Sequence, residues 1–160
     1  MKRQTFFTRI IHACPSTIVW RSGLALLAAV LLWQMAGRFG LMAQAAYATI
    51  TVNTTADDNM VNGNCTLREA ITAANTNAAV DACAAGAVGA DVIQFALGAG
   101  TPTIDVSGSA LPAITETLTI DGNTGGATRV ELNGAGAGTE VNGLFINNAN
   151  NCVIRSLVIN

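Results

Sequence analysis

The sequence predicts an all-β solenoid of about 26 residues per turn, with one short capping α-helix near its start. Three observations predict it. Apolar–polar–apolar triplets recur from Ile93 to Ile159, and taken alternately they form two interleaved series of near-constant step. A single helix start signal, Thr66-x-x-Glu69, stands ahead of them. Asp-Gly and Asn-Gly pairs follow the triplets, supplying residues that tolerate tight corners between strands.

Residues 1–48 read as an export signal. Lys2, Arg3, Arg9 and Arg21 make a long basic leader, and Gly23 to Trp33 is a nearly pure apolar run. Ala46-Tyr47-Ala48 then supplies a small-x-small pattern, which places cleavage between Ala48 and Thr49. Gln34 and Arg38 interrupt the apolar run before it reaches the roughly 20 residues that span a bilayer. A cleavable signal is therefore expected in preference to a retained anchor, with no stable membrane insertion after its removal.

Removing the leader changes the charge. Residues 49–160 keep all ten Asp and Glu but only three basic residues, Arg68, Arg129 and Arg155, for a formal charge of −7. The same stretch holds no Lys, His, Trp or Tyr. Replacing phosphate counterions needs clustered Lys and Arg, so nucleic-acid binding is excluded. Binding to anionic lipid fails for the same reason. An acidic chain rich in Asn, Thr and Gly suits a secreted or cell-surface location.

Residues 49–90 read as an N-terminal cap. Thr49-Ile-Thr-Val52 starts the first strand, and a helix is expected near 66–76. Thr66 and Glu69 can each satisfy a free backbone N–H at its start. Leu67, Ala70, Ile71 and Ala74 recur at helical spacing, leaving Arg68, Glu69, Thr72 and Asn75 on the other side. Such a helix covers an apolar surface, and the exposed first edge of the strands is the surface it would close. Cys65 lies just before the helix and Cys83 just past it. A disulfide between them would tie the helix to its return loop, worth roughly 3 kcal/mol in the chain-entropy model. Cys152 is left odd and reads as a small buried apolar residue. With no His and no close Cys pair in this region, a structural zinc site is not expected.

The run from Asn64 to Asn75, Asn-Cys-Thr-Leu-Arg-Glu-Ala-Ile-Thr-Ala-Ala-Asn, resembles the CSLREA (CSLREAI) motif of bacterial extracellular proteins. Thr66 replaces the serine of that motif and keeps the capping hydroxyl. The likeness extends from about Thr49 to Phe95, through Thr55-Ala-Asp-Asp58, Asp81-Ala-Cys83 and Gly89-Ala-Asp91-Val-Ile-Gln-Phe95. The resemblance implies that a right-handed parallel β-helix begins at the motif. It implies no particular activity.

Residues 91–160 carry the triplets Ile93-Gln-Phe95, Ile104-Asp-Val106, Leu118-Thr-Ile120, Val130-Glu-Leu132, Leu144-Phe-Ile146 and Leu157-Val-Ile159. One series starts at 93, 118 and 144, the other at 104, 130 and 157. Parallel strands stacked about 4.8 Å apart would bring like residues into columns. Asp121 is then expected beside Asn147, and Asn133 beside Asn160. An antiparallel sandwich also has many short strands but no preferred recurrence of this length. The run ends on an apolar strand without a cap, so residues 91–160 read as the first turns of a longer solenoid, truncated at the C-terminus.

Chemistry-bearing constellations are few. Asp105, Glu116, Asp121, Glu131 and Glu140 are the outward or corner acids, and Asp105 and Glu131 should be near neighbours on one face. Glycoside hydrolysis needs such a carboxylate pair. Lyase chemistry needs a base to take a proton, and only Arg129 and Arg155 are basic on these strands. The two arginines are expected to stack, paired with surface acids. Asp57-Asp58-Asn59 with Asn62-Gly63-Asn64 is oxygen-rich, but Met60 and Val61 break a calcium-loop pattern, and a polar turn is expected. Gly134-Ala-Gly136-Ala-Gly138 lacks the following helix and Lys of a phosphate loop and reads as a corner.

No catalytic residue, cofactor or metal is assigned from the sequence. The expected function is an exported, non-catalytic module at the front of a secreted or cell-surface, adhesin-like protein, with an extracellular polysaccharide or surface protein as its partner. The alternative is the N-terminal part of a polysaccharide-degrading enzyme, pectate lyase-like or a glycoside hydrolase, whose active site lies outside this chain.

Overall fold

The structure, a computed structural model, describes residues 47–160. The export signal expected over residues 1–48 therefore lies outside the described residues, apart from its last two positions. Seven strands and one helix follow: β1 (Thr49–Val52), α1 (Leu67–Thr76), β2 (Asp91–Phe95), β3 (Thr103–Ser107), β4 (Leu118–Asp121), β5 (Val130–Gly136), β6 (Val153–Arg155) and β7 (Leu157–Ile159). They form two small sheets, β1-β2-β4-β6 and β3-β5-β7, and every strand pair within them is parallel.

The strands follow the period-2 alternation of the sequence. In β2 the side chains of Asp91, Ile93 and Phe95 are buried while Val92 and Gln94 are partly open. Ile50, Val52, Ile104, Val106, Leu118, Ile120, Val130 and Leu132 join them in one apolar core. Full burial of each such side chain contributes about 1.5–3 kcal/mol relative to exposure. Side chains outside the core pair across strands in register. Gln94 donates to Thr51 (3.0 Å), and Asn133 donates to Asp105 (2.8 Å).

Helix α1 starts with a complete capping box. The Thr66 hydroxyl accepts from the Glu69 N–H (3.1 Å), and the Glu69 carboxylate accepts from the Thr66 N–H (3.0 Å). It stops at Asn77, whose left-handed φ of 53° ends the helical path. The helix packs against β1 and β2 through Leu67, Ala70, Ile71 and Ala74.

The fold departs from the expected regular solenoid. It consists of two small parallel sheets of four and three short strands plus one helix, without a constant repeat of about 26 residues. Down the larger sheet Ile50 pairs with Ile93, Ile93 with Ile120 and Ile120 with Ile154, at intervals of 43, 27 and 34 residues. The Leu144-Phe-Ile146 triplet accounts for the last irregularity. It makes only an isolated bridge, Ile114 with Ile146, and the fourth place in the sheet goes to Val153–Arg155. Left-handed φ values at Gly138, Glu140, Asn148 and Asn151 break the extended run on both sides of that triplet. Of the two residues expected to point inward there, Leu144 is partly buried against the core and Ile146 is left 43% exposed.

One of the two expected column contacts changes with the register. Asp121 lies beside Arg155 and not Asn147. Asn133 does lie beside Asn160, whose carbonyl accepts from the Gly134 N–H (2.9 Å) and whose N–H donates to the Leu132 carbonyl (3.1 Å). The Asn133 side chain, however, donates to Asp105 instead of forming an amide ladder. Arg155 belongs to the four-stranded sheet, and Arg129 leads into β5 of the other sheet, so the two arginines do not stack.

Candidate functional site around the stapled helix

A disulfide joins Cys65 to Cys83, with 18 residues of separation and a Cα–Cα distance of 4.7 Å. Both cysteines are buried in the core cluster. The bridge fixes the residue before α1 to the loop beyond it, so the helix and its return loop are closed into one covalent ring. Asp81 ties the loop ahead of Cys65 to this ring. Its Oδ2 accepts from the backbone N–H groups of Asn62 (2.9 Å), Gly63 (2.8 Å) and Asn64 (3.2 Å).

Arg68 is the densest polar node. Nε and Nη2 donate to the two oxygens of Asp57 at 2.9 and 2.8 Å, a bidentate pair. Nη2 also donates to the Ser109 carbonyl (3.0 Å), and Nη1 to the Ala110 carbonyl (2.6 Å) and the Ser109 hydroxyl (3.3 Å). All five guanidinium N–H groups thus have partners. The side chains of Arg68 and Asp57 are only 8% and 2% exposed. Asp57 also accepts from the Ser107 N–H (2.8 Å), at the end of β3. The loop after β3 therefore lies over the polar side of α1. Asn75 extends this clasp, donating to the Ala113 carbonyl (2.7 Å) and accepting from the Thr115 N–H (2.9 Å).

This arrangement explains a departure from the helix pattern. Arg68 and Glu69, expected on the open side, are buried together with Leu67, Ala70, Ile71, Ala73 and Ala74. The helix is covered on two sides, by strands through its apolar residues and by the 107–115 loop through hydrogen bonds.

A buried carboxylate that sequence reasoning missed is Asp91, 1% exposed at the start of β2. Its Oδ1 accepts from the Ala48 N–H (2.9 Å), and both its oxygens lie 3.1 Å from the Ala87 nitrogen. A Cβ on Gly86 would sit against Asp91 Oδ2, so a glycine is needed for the approach. The pattern Asp-Val-Ile-Gln-Phe, with an acid at an inward position of an alternating strand, was the available signal.

The other candidate residues are dispersed. Asp105 is opposite Asn133 and Glu131 is opposite Thr103, so these two acids are offset by two residues and do not form the expected neighbouring pair. Asn160 Nδ2 donates to Glu131 (2.5 Å). Arg155 donates to Asp121 (2.7 Å) in an ion pair whose arginine is 62% exposed, a geometry worth under about 1 kcal/mol. Glu116 accepts from Asn77 Nδ2 (3.1 and 3.2 Å). Glu140 and Arg129 are exposed. In the 57–64 loop, Asp58 Oδ1 accepts from the Met60 N–H (2.9 Å) and from Asn62 Nδ2 (3.3 Å), the internal bonding of a turn. Among the described residues, no group of three or more His, Cys, Asp or Glu is placed to hold a metal ion. Cys152 is a free, half-buried thiol 3.5 Å from the Glu116 carbonyl.

The described residues form shallow recesses. One of about 190 Å³ is lined by Val106, Leu132, Ala137, Val141 and Ile159. Another, about 300 Å³, is an open groove bordered by Glu116 and Asn148. Neither brings two carboxylates together. Set against family models, curated proteins and solved structures, the chain matches none of them.

Proposed function

We propose that this chain is an exported, non-catalytic module of a secreted or cell-surface protein of adhesin-like character. The observation that carries the reading is the Cys65–Cys83 disulfide. Structural disulfides of this kind persist in oxidising compartments and are rare where thiol reductants act. The basic and apolar leader and the acidic charge of residues 49–160 support the same location, as does the resemblance of Asn64–Asn75 to the CSLREA motif.

The carboxylates support a structural role. Asp57, Glu69, Asp81 and Asp91 each accept hydrogen bonds that position backbone or a neighbouring side chain. Groups held in this way organise loops and offer no open acid–base pair. Contact with an extracellular polysaccharide or a surface protein would then use the outer faces of the sheets.

The test is to express the full chain in a bacterial host, fractionate the cells and alkylate free thiols without prior reduction. The expected result is an exported protein with one alkylated cysteine in residues 49–160. Incubation with neutral and acidic polysaccharides is expected to release no new sugar ends. A cytoplasmic, fully reduced protein would overturn the localisation, and released sugar ends would overturn the non-catalytic role.

A further inference from the structure

After its apolar run the leader offers two small-x-small patterns, Ala43-Gln44-Ala45 and Ala46-Tyr47-Ala48, and the fold distinguishes between them. We infer that the export signal is removed between Ala45 and Ala46, so that Ala48 remains in the mature protein as a working part of the fold. This rests on the export reading above.

The inference follows from what Ala48 does. Its N–H donates to the buried carboxylate of Asp91 (2.9 Å), and its carbonyl accepts from the Val92 N–H (2.9 Å). That second bond begins the parallel ladder between β1 and β2, one residue before Thr49 pairs with Val92. Cleavage after Ala48 would remove both groups. Val92 would lose its acceptor, and Asp91 Oδ1, on a residue 1% exposed, would keep only the Ala87 N–H. A buried carboxylate that loses one of its donors is less well stabilised. Cleavage after Ala45 keeps both bonds and leaves Ala46 and Tyr47 ahead of the ladder. Tyr47 is 70% exposed, as a residue in a free N-terminal extension would be.

The experiment uses the full chain, exported from a bacterial host, with the N-terminus read by Edman sequencing and intact mass. Three versions are compared: the natural sequence, Ala45→Leu and Ala48→Leu. A bulky residue at the last position of a small-x-small site blocks cutting there. The expected start is Ala46 for the natural chain and for Ala48→Leu, with processing lost or displaced in Ala45→Leu. Processing precedes folding, so the outcome does not depend on whether either variant folds. A start at Thr49, with processing lost in Ala48→Leu, would overturn the retention of Ala48. A leader still attached to all three would overturn the export reading itself, and any other start would overturn the assignment to Ala45.

Discussion

Replacing Arg68 by alanine should destabilise the protein by about 3–5 kcal/mol, the usual consequence of breaking a buried ion pair by removing one partner. The magnitude follows from what is left behind. Asp57, with a side chain 2% exposed, would keep only the Ser107 N–H, and the carbonyls of Ser109 and Ala110 would lose their donor. An unfolding entropy of about 2.1 cal/mol/K per residue over roughly 110 folded residues is about 0.23 kcal/mol/K. The midpoint should therefore fall by about 13 to 22 °C. Thermal unfolding followed by circular dichroism, with the disulfide intact, reads this directly. The double variant Arg68→Ala/Asp57→Ala should lose less than the sum of the two single variants, because neither leaves a lone buried charge in the absence of the other. Arg68→Lys should recover little, since an ammonium cannot reproduce the bidentate fork. A midpoint lowered by less than about 4 °C in Arg68→Ala would mean a surface-pair effect of under 1 kcal/mol, and would refute the clamp.

Cys65→Ala/Cys83→Ala should cost roughly 3 kcal/mol from the lost constraint on the unfolded chain; a midpoint unchanged by dithiothreitol would contradict this. Thr66→Ala removes the cap hydroxyl and should cost about 1 kcal/mol by urea titration, while Thr66→Ser should be near neutral. Gly125 sits at φ 59° with the Phe95 carbonyl oxygen where a Cβ would project, so Gly125→Ala should destabilise by about 3 kcal/mol or prevent soluble accumulation. A normal yield and midpoint would show that the loop yields. Val153 and Ile159 are 46% and 48% exposed on β6 and β7, the last strands of their sheets. Val153→Lys/Ile159→Lys should lower light scattering at high concentration by opposing edge-to-edge pairing, and unchanged scattering would place association elsewhere.

Local signals were legible. The capping box at Thr66 and Glu69, the cysteine pair, and five of the six apolar triplets all correspond to formed structure, because each depends on neighbours in sequence or on period-2 burial. Register was legible only between β5 and β7, where Val130 meets Leu157 at the expected step. Leu144-Phe-Ile146 has the same composition as the strands that form, and only the placement of backbone breaks at Gly138, Glu140 and Asn148 sends it out of the sheet. Val153-Ile-Arg155 takes its place despite a charged third residue, since Arg155 meets Asp121 there. Arg68 misled for a different reason. A one-sided apolar stripe predicts one covered face, and nothing in residues 66–76 announces that the loop beyond β3, some forty residues on, will fold over the other. Asp91 was hidden by the same long range, because its partner is Ala48.

The parallel pairing has a kinetic consequence. The shortest strand-to-strand connections, Asp91 to Leu118 and Val130 to Leu157, still close 27 residues, and neither sheet contains a hairpin. Each pairing must therefore meet a loop-closure cost before any ladder bond repays it, which places folding in the slow, millisecond-to-second class of non-local β topologies. Only the ring around α1, closed over 18 residues, can organise early. Formation of the Cys65–Cys83 bond thus supplies the platform on which β1 and β2 first meet, with helix α1 already fixed beside them.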